Sequence, residues 1–293
     1  MDRRTLLKGL ATAGAVAAIP VGRASASTEK SPPTDMVGLL YDTTRCIGCK
    51  ACVAACKRAN DLPAEDSGIP GGLHDAPIDL SSSTKTVIKL YKEGDTTSFY
   101  KAQCMHCIDP ACASACMLGA FQKREHGIVS WDGSQCVGCR YCQVACPFNI
   151  PKTEWQALNP KIVKCELCRH RIAEGKIPAC AEVCPRGAVV YGTRQELLED
   201  ARARMAAEPG KYVSRIYGEH DAGGTQVMVL SHVDFEKIGL PELGTTPAPK
   251  LARTVQHGVY KGFIAPVALY AILGTVMWRN RRKEEGPEEE GRP

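Results

Sequence analysis

Short alternating runs of apolar and polar residues cover much of the chain between its cysteine-rich segments. Residues 83–104, STKTVIKLYKEGDTTSFYKAQC, alternate on either side of Gly94 and Asp95, which predicts a β-hairpin. The runs GIVSWDGSQC at 127–136 and GAVVYGT at 187–193 predict two further strands. The pattern therefore predicts short strands rather than long helices between the two ends of the chain.

One internal segment has helical character. Residues 194–210, RQELLEDARARMAAEPG, consist of helix-forming residues and close on a glycine, which predicts a helix of about four turns. Residues 59–80 are rich in glycine, proline and aspartate, and they predict a loop.

A longer apolar run lies near the C-terminus. Residues 262–278, GFIAPVALYAILGTVMW, contain no charge over seventeen residues, which is at the low end of spanning length for a membrane helix. Trp278 is placed as an interfacial anchor, and the basic residues after it predict a cytoplasmic end. We expect a linker at 241–258, a transmembrane helix at 259–279 and a charged cytoplasmic tail at 280–293, with disorder in its last residues, KEEGPEEEGRP at 283–293. A buried core helix is the alternative, which the basic run disfavours.

The N-terminus has the features of an export signal. Arg3 and Arg4 precede a mildly apolar run at 9–19, and the A-x-A pattern at 24–26 offers a cleavage site. The paired arginines resemble the twin-arginine signal, so we predict a signal peptide at 1–26. That route exports proteins already folded around their cofactors. An ordinary secretory peptide with a chance arginine pair is the alternative.

Composition and charge narrow the classes of function. Apolar residues make up 44% of the 293 residues but aromatic residues only 6%, so bound cofactors are expected to supply part of the folding free energy. The net charge of +5 is small, and no basic stripe is interleaved with aromatics, so nucleic-acid binding is not expected. No catalytic residue is predicted. If the cysteines serve as cofactor ligands, the remaining residues form no pair of nickel ligands, no molybdenum site, no dinucleotide-binding fingerprint and no nucleophile triad.

Sixteen cysteines form four groups of four, at 46–56, 104–116, 136–146 and 165–184. The first and third groups follow C-x2-C-x2-C-x3-C, the bacterial ferredoxin run, in which three thiolates bind one 4Fe-4S cluster and the fourth binds another. The second group has a wider gap between Cys107 and Cys112, and the fourth has a long insertion before its last pair. The spacing predicts iron–sulfur clusters bound by all sixteen thiols.

Disulfides and structural zinc are the alternatives. Disulfide scaffolds are usually short chains, whereas here two-residue gaps recur in register along a long chain. Zinc sites commonly use two separated cysteine pairs, whereas these groups have a triplet followed by a fourth cysteine. Both alternatives fit the spacing less well than iron–sulfur clusters do.

Residues next to the cysteines support cluster binding. Gly48 and Gly138 lie between the first two cysteines of the first and third groups, where a missing side chain lets backbone amides approach cluster sulfurs. Pro147 and Pro185 follow the last cysteines of the third and fourth groups, as in the ferredoxin run. His106 is expected to donate a hydrogen bond to a cluster or to be structural, rather than to be a ligand. Three basic residues could tune cluster potentials, with surface solvation as the alternative: Lys50, Arg140 and Lys164.

The quoted motifs carry a resemblance to a known family. The segments are LLYDTTRCIGCKACVAAC, QCMHCIDPAC, CVGCRYCQVACPFNIPK, KCELC, EVCPRGAVVYGTRQEL, GGTQVMVL and VYKGFIAPVAL. They resemble four-cluster electron-transfer subunits of exported or membrane-bound oxidoreductases, and within these the ferredoxin-type subunits of hydrogenase-2-type nickel-iron hydrogenases. The resemblance implies an α+β fold with two bacterial-ferredoxin-like two-cluster units and insertions, in an electron-transfer domain at 36–240, plus the one C-terminal transmembrane helix.

The resemblance also implies which cysteines share a cluster. Group 46–56 would fold with group 165–184, and group 104–116 with group 136–146. Four [4Fe-4S] clusters are implied, and we number their ligand sets 1 to 4: Cys46, Cys49, Cys52 and Cys184 (set 1); Cys56, Cys165, Cys168 and Cys180 (set 2); Cys104, Cys107, Cys112 and Cys146 (set 3); Cys116, Cys136, Cys139 and Cys142 (set 4).

The function implied by the resemblance is electron conduction without a substrate site of its own. Electrons would pass from a periplasmic catalytic partner, the hydrogenase small and large subunits, to an integral membrane quinone-reactive subunit. The chain would lie on the periplasmic side of the cytoplasmic membrane, anchored by its own C-terminal helix with the C-terminus in the cytoplasm. The alternative is the iron–sulfur subunit of a respiratory formate dehydrogenase or another molybdopterin oxidoreductase.

Overall fold

The structure, a computed structural model, describes residues 35–64, 76–155, 157 and 160–284. The predicted signal peptide at 1–26 and residues 285–293 of the predicted tail lie outside these residues. The described residues from 35 to 249 belong to one compact unit, and those from 250 to 284 belong to a second unit.

Short strands and short helices alternate along the described residues, followed by one long C-terminal helix. The strands are β1 (Val37–Asp42), β2 (Thr86–Glu93), β3 (Thr96–Gln103), β4 (Phe121–Lys123), β5 (Val129–Trp131), β6 (Lys152–Thr153), β7 (Ile162–Val163), β8 (Val189–Thr193) and β9 (Val227–Leu230). The α-helices are α1 (Ala51–Ala59), α2 (Ala111–Ser114), α3 (Tyr141–Ala145), α4 (Arg169–Ala173), α5 (Ala179–Glu182), α6 (Arg194–Ala207) and α7 (Lys250–Glu284). The predicted mixture of helix and strand is confirmed.

A three-stranded sheet of order β8-β1-β9 forms the centre of the core. Strand β1 runs antiparallel to β8 and parallel to β9. Leu39 and Leu40 point to opposite faces, and both are fully buried, because the main core packs on one face and α6 on the other. A strand buried on both faces shows no apolar–polar alternation. The sequence analysis accordingly did not predict β1 or β9.

The predicted helix at 194–210 is confirmed as α6. Thr193 and Glu196 form a capping box at its start: the Thr193 N–H donates to the Glu196 carboxylate at 3.0 Å, and the Glu196 N–H donates to the Thr193 hydroxyl at 3.4 Å. Leu197, Leu198 and Ala201 are buried against the sheet. The helix therefore fixes the edge of the sheet that carries β8.

The predicted hairpin is confirmed as β2 and β3, which pair antiparallel with Glu93 opposite Thr96 at the turn. Its distal half is largely exposed, whereas its proximal half, including Val87, Tyr100 and Lys101, is buried. The base of the hairpin therefore lies in the core, and β3 ends at Gln103, directly before the second cysteine group.

Five short helices, α1 to α5, lie within or directly after the cysteine groups. The sequence analysis did not predict them, since helices of four to nine residues are too short to display an apolar period. Helices of this length are also marginal without tertiary support. Their positions therefore depend on what packs around the cysteines.

The C-terminal segment forms α7, which begins at Lys250 inside the predicted linker. Within the part of the chain that the structure describes, no helix is both long and apolar enough to cross a membrane. The predicted transmembrane helix at 259–279 is therefore not confirmed. The uncharged stretch has only seventeen residues, and the side chains at 256–257, 260–261 and 264–265 lie outside the description.

Asp42 joins the end of β1 to α6 through a buried ionic network. Its side chain is fully buried and accepts from the Arg204 guanidinium at 3.1 Å and from the Tyr212 hydroxyl at 3.1 Å. It also accepts from the Thr44 N–H at 3.0 Å and from the Thr44 hydroxyl at 2.6 Å. A buried carboxylate needs this number of donors. The network therefore fixes the turn that leads from β1 to Cys46.

Replacing Asp42 with alanine should lower the free energy of unfolding by about 2 kcal/mol, because Tyr212 loses an acceptor and Arg204 keeps only Asp200 as a charged partner. Denaturation of the anaerobically purified protein checks this value. Asp95→Ala is the control, because Asp95 is exposed at the hairpin turn, and its effect should stay within about 0.5 kcal/mol. Equal effects of the two substitutions would contradict a stabilising role for the network.

Candidate iron–sulfur sites

The first two cysteines of each group are joined by a loop with one repeated backbone feature. The residue before the second cysteine has a positive φ in all four groups: 69° at Gly48, 48° at His106, 72° at Gly138 and 50° at Leu167. The sequence analysis found this position only where it is glycine. His106 and Leu167 adopt the same conformation with side chains that are almost fully buried. The tertiary packing therefore holds a conformation that their residue types disfavour.

This conformation turns a backbone amide toward the preceding cysteine sulfur. The N–H of Gly48 donates to the Cys46 sulfur at 3.4 Å, and the N–H of Leu167 donates to the Cys165 sulfur at 3.4 Å. A backbone hydrogen bond from His106 lowers the pKa of Cys104 against the larger effect of burial. Amides directed at sulfur stabilise thiolates and cluster sulfurs alike, so the loops suit a cluster.

The last two cysteines of each group are four residues apart and lie at a helical turn. Cys52 and Cys56 lie on α1, and Cys180 lies on α5 four residues before Cys184. The same spacing places Cys112 before Cys116 and Cys142 before Cys146. The two thiols of such a pair have different neighbours, as for Cys52, which lies with the thiols of set 1, and Cys56, which interacts with those of set 2.

A cavity of about 350 Å³ is lined by the four thiols of set 1. Its lining also contains Tyr41, whose hydroxyl donates to the Phe99 carbonyl at 2.6 Å, and Lys50, whose ammonium donates to the Ala76 carbonyl at 3.3 Å. Cys49 is the exposed member of the set. The structure thus brings together three cysteines of the first group and the last cysteine of the fourth.

A second cavity, of about 410 Å³, is lined by the four thiols of set 4. Phe121 and Ile162 form part of its apolar wall. Arg140 also lines it, and its guanidinium lies 4.0 Å from the centre of the Trp155 ring. Cys139 is exposed, as Cys49 is in set 1. The cavity joins three cysteines of the third group to the last cysteine of the second.

The thiols of sets 2 and 3 lie deeper and interact within each set. Burial, followed by the charges of Cys104, Cys146 and Cys112, raises the pKa of Cys107 well above its usual value. Burial also raises the pKa of Cys56, and the thiols of Cys165, Cys180 and Cys168 add to the increase. Asn60 bridges members of set 2, because its amide donates to the Cys56 sulfur at 3.7 Å and bonds the Cys168 thiol.

The four sets form a series. Cys52 of set 1 interacts with Cys180 of set 2, and Cys112 of set 3 interacts with Cys142 of set 4. Sets 2 and 3 meet where Cys165 of set 2 and Cys104 of set 3 pack in one group of buried apolar residues. Neighbouring sets thus follow one another in the order 1, 2, 3, 4, and the most exposed cysteines lie in the two terminal sets.

The thiol chemistry fits a cationic cluster core. All sixteen cysteines are free thiols in the structure, the form from which cluster ligands derive. Burial is the main cause that raises the pKa of Cys52, Cys104 and Cys142 to about 11 and that of Cys112 to about 12. Buried thiols near other thiols resist ionisation unless positive charge balances them. Among the described residues, no group of three or more His, Cys, Asp or Glu side chains converges on one metal ion, whereas the thiols of sets 1 and 4 line cavities.

His106 is enclosed beside set 3 and is neutral. Its Nδ1 accepts from the Val129 N–H at 3.2 Å, and burial lowers the pKa of the imidazole well below its usual value. With Nδ1 used as an acceptor, the proton is on Nε2, and a backbone hydrogen bond with Cys165 opposes the lowering of the pKa. The expectation that His106 donates a hydrogen bond or is structural stays a prediction.

Of the three lysines that are buried among the described residues, Lys101 and Lys164 interact with the thiols. Lys164, predicted as a tuning residue, is 3% exposed and donates to the Cys165 carbonyl at 2.9 Å and to the Val129 carbonyl. Surface solvation, the alternative weighed for it, is therefore wrong. The sequence analysis missed Lys101, which is also 3% exposed. Strand alternation gives no signal for Lys101, because the end of β3 from Tyr100 to Gln103 is buried on both faces.

Comparisons with known proteins identify iron–sulfur domains in the same segments. Residues 96–194 match the 4Fe-4S dicluster domain family, which covers the last three cysteine groups, and residues 39–58 match the 4Fe-4S binding domain family, which covers the first. These matches support more than one 4Fe-4S cluster.

The chain is also similar to curated proteins over most of its length. It is 41% identical to a protein of Nitratidesulfovibrio vulgaris strain Hildenborough, over 99% of this chain and 80% of that protein. It is 36% identical to the hydrogenase-2 operon protein HybA of Escherichia coli O157:H7, over 97% of each chain. It is 36% identical to the iron-sulfur subunit of the nitrate-inducible formate dehydrogenase of Escherichia coli K12, over 86% of this chain and 87% of that one.

Replacing Gly48 with alanine should cost the protein iron at set 1. The added Cβ would lie 2.3 Å from the Phe99 ring, so the loop or the hairpin must shift. Iron and labile sulfide per chain, together with the visible absorption of the clusters, measure the effect. Gly138→Ala is the matched control, because its φ is nearly the same and the added Cβ would meet only Pro160 at 3.5 Å. Equal iron loss in both variants would mean that backbone strain, not the contact with Phe99, is decisive.

Proposed function

The chain belongs to the family of ferredoxin-type 4Fe-4S subunits that includes the hydrogenase-2 operon protein HybA and the formate dehydrogenase iron-sulfur subunits, and from this premise we propose that it relays electrons through four [4Fe-4S] clusters. Each cluster, when bound, takes up and releases one electron. The observation that carries the proposal is the series of four thiol sets, whose two ends each include an exposed cysteine.

The sixteen cysteines are the proposed ligands, in sets 1 to 4 as defined above. The rest of the chain holds the thiols and excludes water from the inner sets. Asn60 and the backbone amides of Gly48 and Leu167 orient sulfurs by hydrogen bonding. Apolar side chains such as Ile150 and Phe148 pack where set 2 meets set 3. No catalytic residue is proposed, so the chain would conduct electrons that a partner produces.

We assign the catalytic partner to the hydrogenase small and large subunits and the electron acceptor to an integral membrane quinone-reactive subunit. Support comes from the match to HybA, which extends over 97% of both chains, whereas the match to the formate dehydrogenase subunit covers 86% of this chain. A formate dehydrogenase complex is the second candidate, because the identity to its iron-sulfur subunit is the same 36%.

The proposed location is the periplasmic side of the cytoplasmic membrane. The paired Arg3 and Arg4, followed by an apolar run, support export by the twin-arginine route. Export after folding would let the sixteen thiols bind their cofactors before the chain reaches an oxidising compartment.

Isolation of the native complex through a tag on this chain tests the proposal. We expect about sixteen irons and as many labile sulfides on this chain, four for each cluster. Nickel and a hydrogenase large subunit should purify with it. Molybdenum or tungsten without nickel would favour the second candidate, a formate dehydrogenase complex. A preparation without iron and sulfide would overturn the proposed function altogether.

A further inference from the structure

Lys101 is a buried cation without an anionic side chain beside it. It lies on β3 with 3% of its surface exposed, and its ammonium donates to the side-chain oxygen of Gln103. No Asp or Glu among the described residues forms an ion pair with Lys101. A neutral amide alone does not offset the desolvation of an ammonium group. The position therefore calls for negative charge from another source.

Lys101 pairs with Ile88 across the hairpin, and Ile88 lines the cavity of set 1 and packs in one buried apolar group with Cys52 of set 1 and Cys180 of set 2. The side chains that face Lys101 therefore include thiols of two different sets. In order of strength, its charge interacts with Cys180, Cys52, Cys165 and Cys56. Cys52 belongs to set 1, and the other three belong to set 2. The interaction is reciprocal: the ammonium opposes the effect of burial and lowers the pKa of Cys52, Cys56 and Cys180. Lys101 thus lies between the two cluster sites of one unit.

The second buried lysine does not repeat this arrangement. Lys164 has two carbonyl acceptors, Val129 and Cys165, and its charge acts on Cys104, Cys112 and Cys146 of set 3. Lys101 instead comes from the inserted hairpin, whose base places its side chain beside thiols of the first and fourth cysteine groups. The hairpin contributes no cysteine to sets 1 and 2, but its Lys101 places a positive charge beside both of them.

We propose that Lys101 is a positioning cation shared by sets 1 and 2, which raises the reduction potentials of both clusters and reduces the repulsion between them. The inference rests on the proposed function. A 4Fe-4S cluster with four thiolates carries net negative charge, and reduction adds one electron to it. A fixed ammonium beside the cluster stabilises the reduced form more than the oxidised form. One lysine between two clusters favours electron uptake at both.

Redox titration of the anaerobically purified full-length protein, followed by electron paramagnetic resonance, tests the proposal. Lys101→Gln removes the charge and keeps hydrogen-bonding capacity, and Lys101→Arg keeps the charge. The matched control is Lys89→Gln, because Lys89 is an exposed lysine on the partner strand of the same hairpin. In Lys101→Gln we expect two of the four clusters to become harder to reduce, each by about tenfold in the reduced-to-oxidised ratio, which is 59 mV for one electron.

Lys101→Arg and Lys89→Gln should leave all four potentials near those of the wild type. Unchanged potentials in Lys101→Gln would overturn the proposal. Loss of iron in Lys101→Gln with retention in Lys101→Arg would support it, whereas loss in both would overturn it, because charge would then not be what the site requires. A wild-type protein without iron would instead refute the proposed function, so the two failures are distinguishable.

Discussion

The structure depends on how negative charge is balanced on cysteine sulfurs that are buried close to one another. Sixteen thiols lie in four sets, and burial together with mutual repulsion opposes the ionisation that ligation requires. A cationic iron core bound by each set would remove that opposition and add its binding free energy to the folded state. This coupling accounts for a chain that folds with only 6% aromatic residues, several of which, such as Tyr41, Phe99 and Phe121, lie against the cysteine loops.

The backbone repeat is stronger than the sequence repeat. All four loops use a positive φ before the second cysteine, yet two use glycine, one histidine and one leucine. Where glycine stands, the conformation is free of strain, and where His106 and Leu167 stand, nearly complete burial holds it. At Gly48, His106 and Leu167 the backbone N–H donates toward the preceding cysteine sulfur. The surroundings of these three residues differ, because the Phe99 ring closely approaches Gly48, whereas the core encloses His106 and Leu167.

Sequence spacing predicted the local parts of the site and little of the long-range ones. The cysteine groups, the hairpin and α6 follow from short-range patterns, and the structure contains them. The pairing of groups came only from the resemblance, because spacing within a segment does not say which distant segment supplies the fourth thiol. Strands β1 and β9 and the residue Lys101 escaped prediction, since burial on both faces removes alternation. The apolar run at 262–278 predicted a helix correctly, but the membrane span is not confirmed.

The distance between neighbouring sets is controlled in two different ways along the series. Within a unit, one helical turn separates thiols of adjacent sets, as Cys52 and Cys56 on α1, so covalent spacing and helix geometry fix the step at about 6 Å of helix rise. Between sets 2 and 3 no such turn exists. There Cys104 and Cys165 are brought together by tertiary packing with Ile150, Leu80 and Phe148. The distance between sets 2 and 3 thus depends on core packing, so a loss of packing around Ile150 and Phe148 would change this distance before the distances that a helical turn fixes.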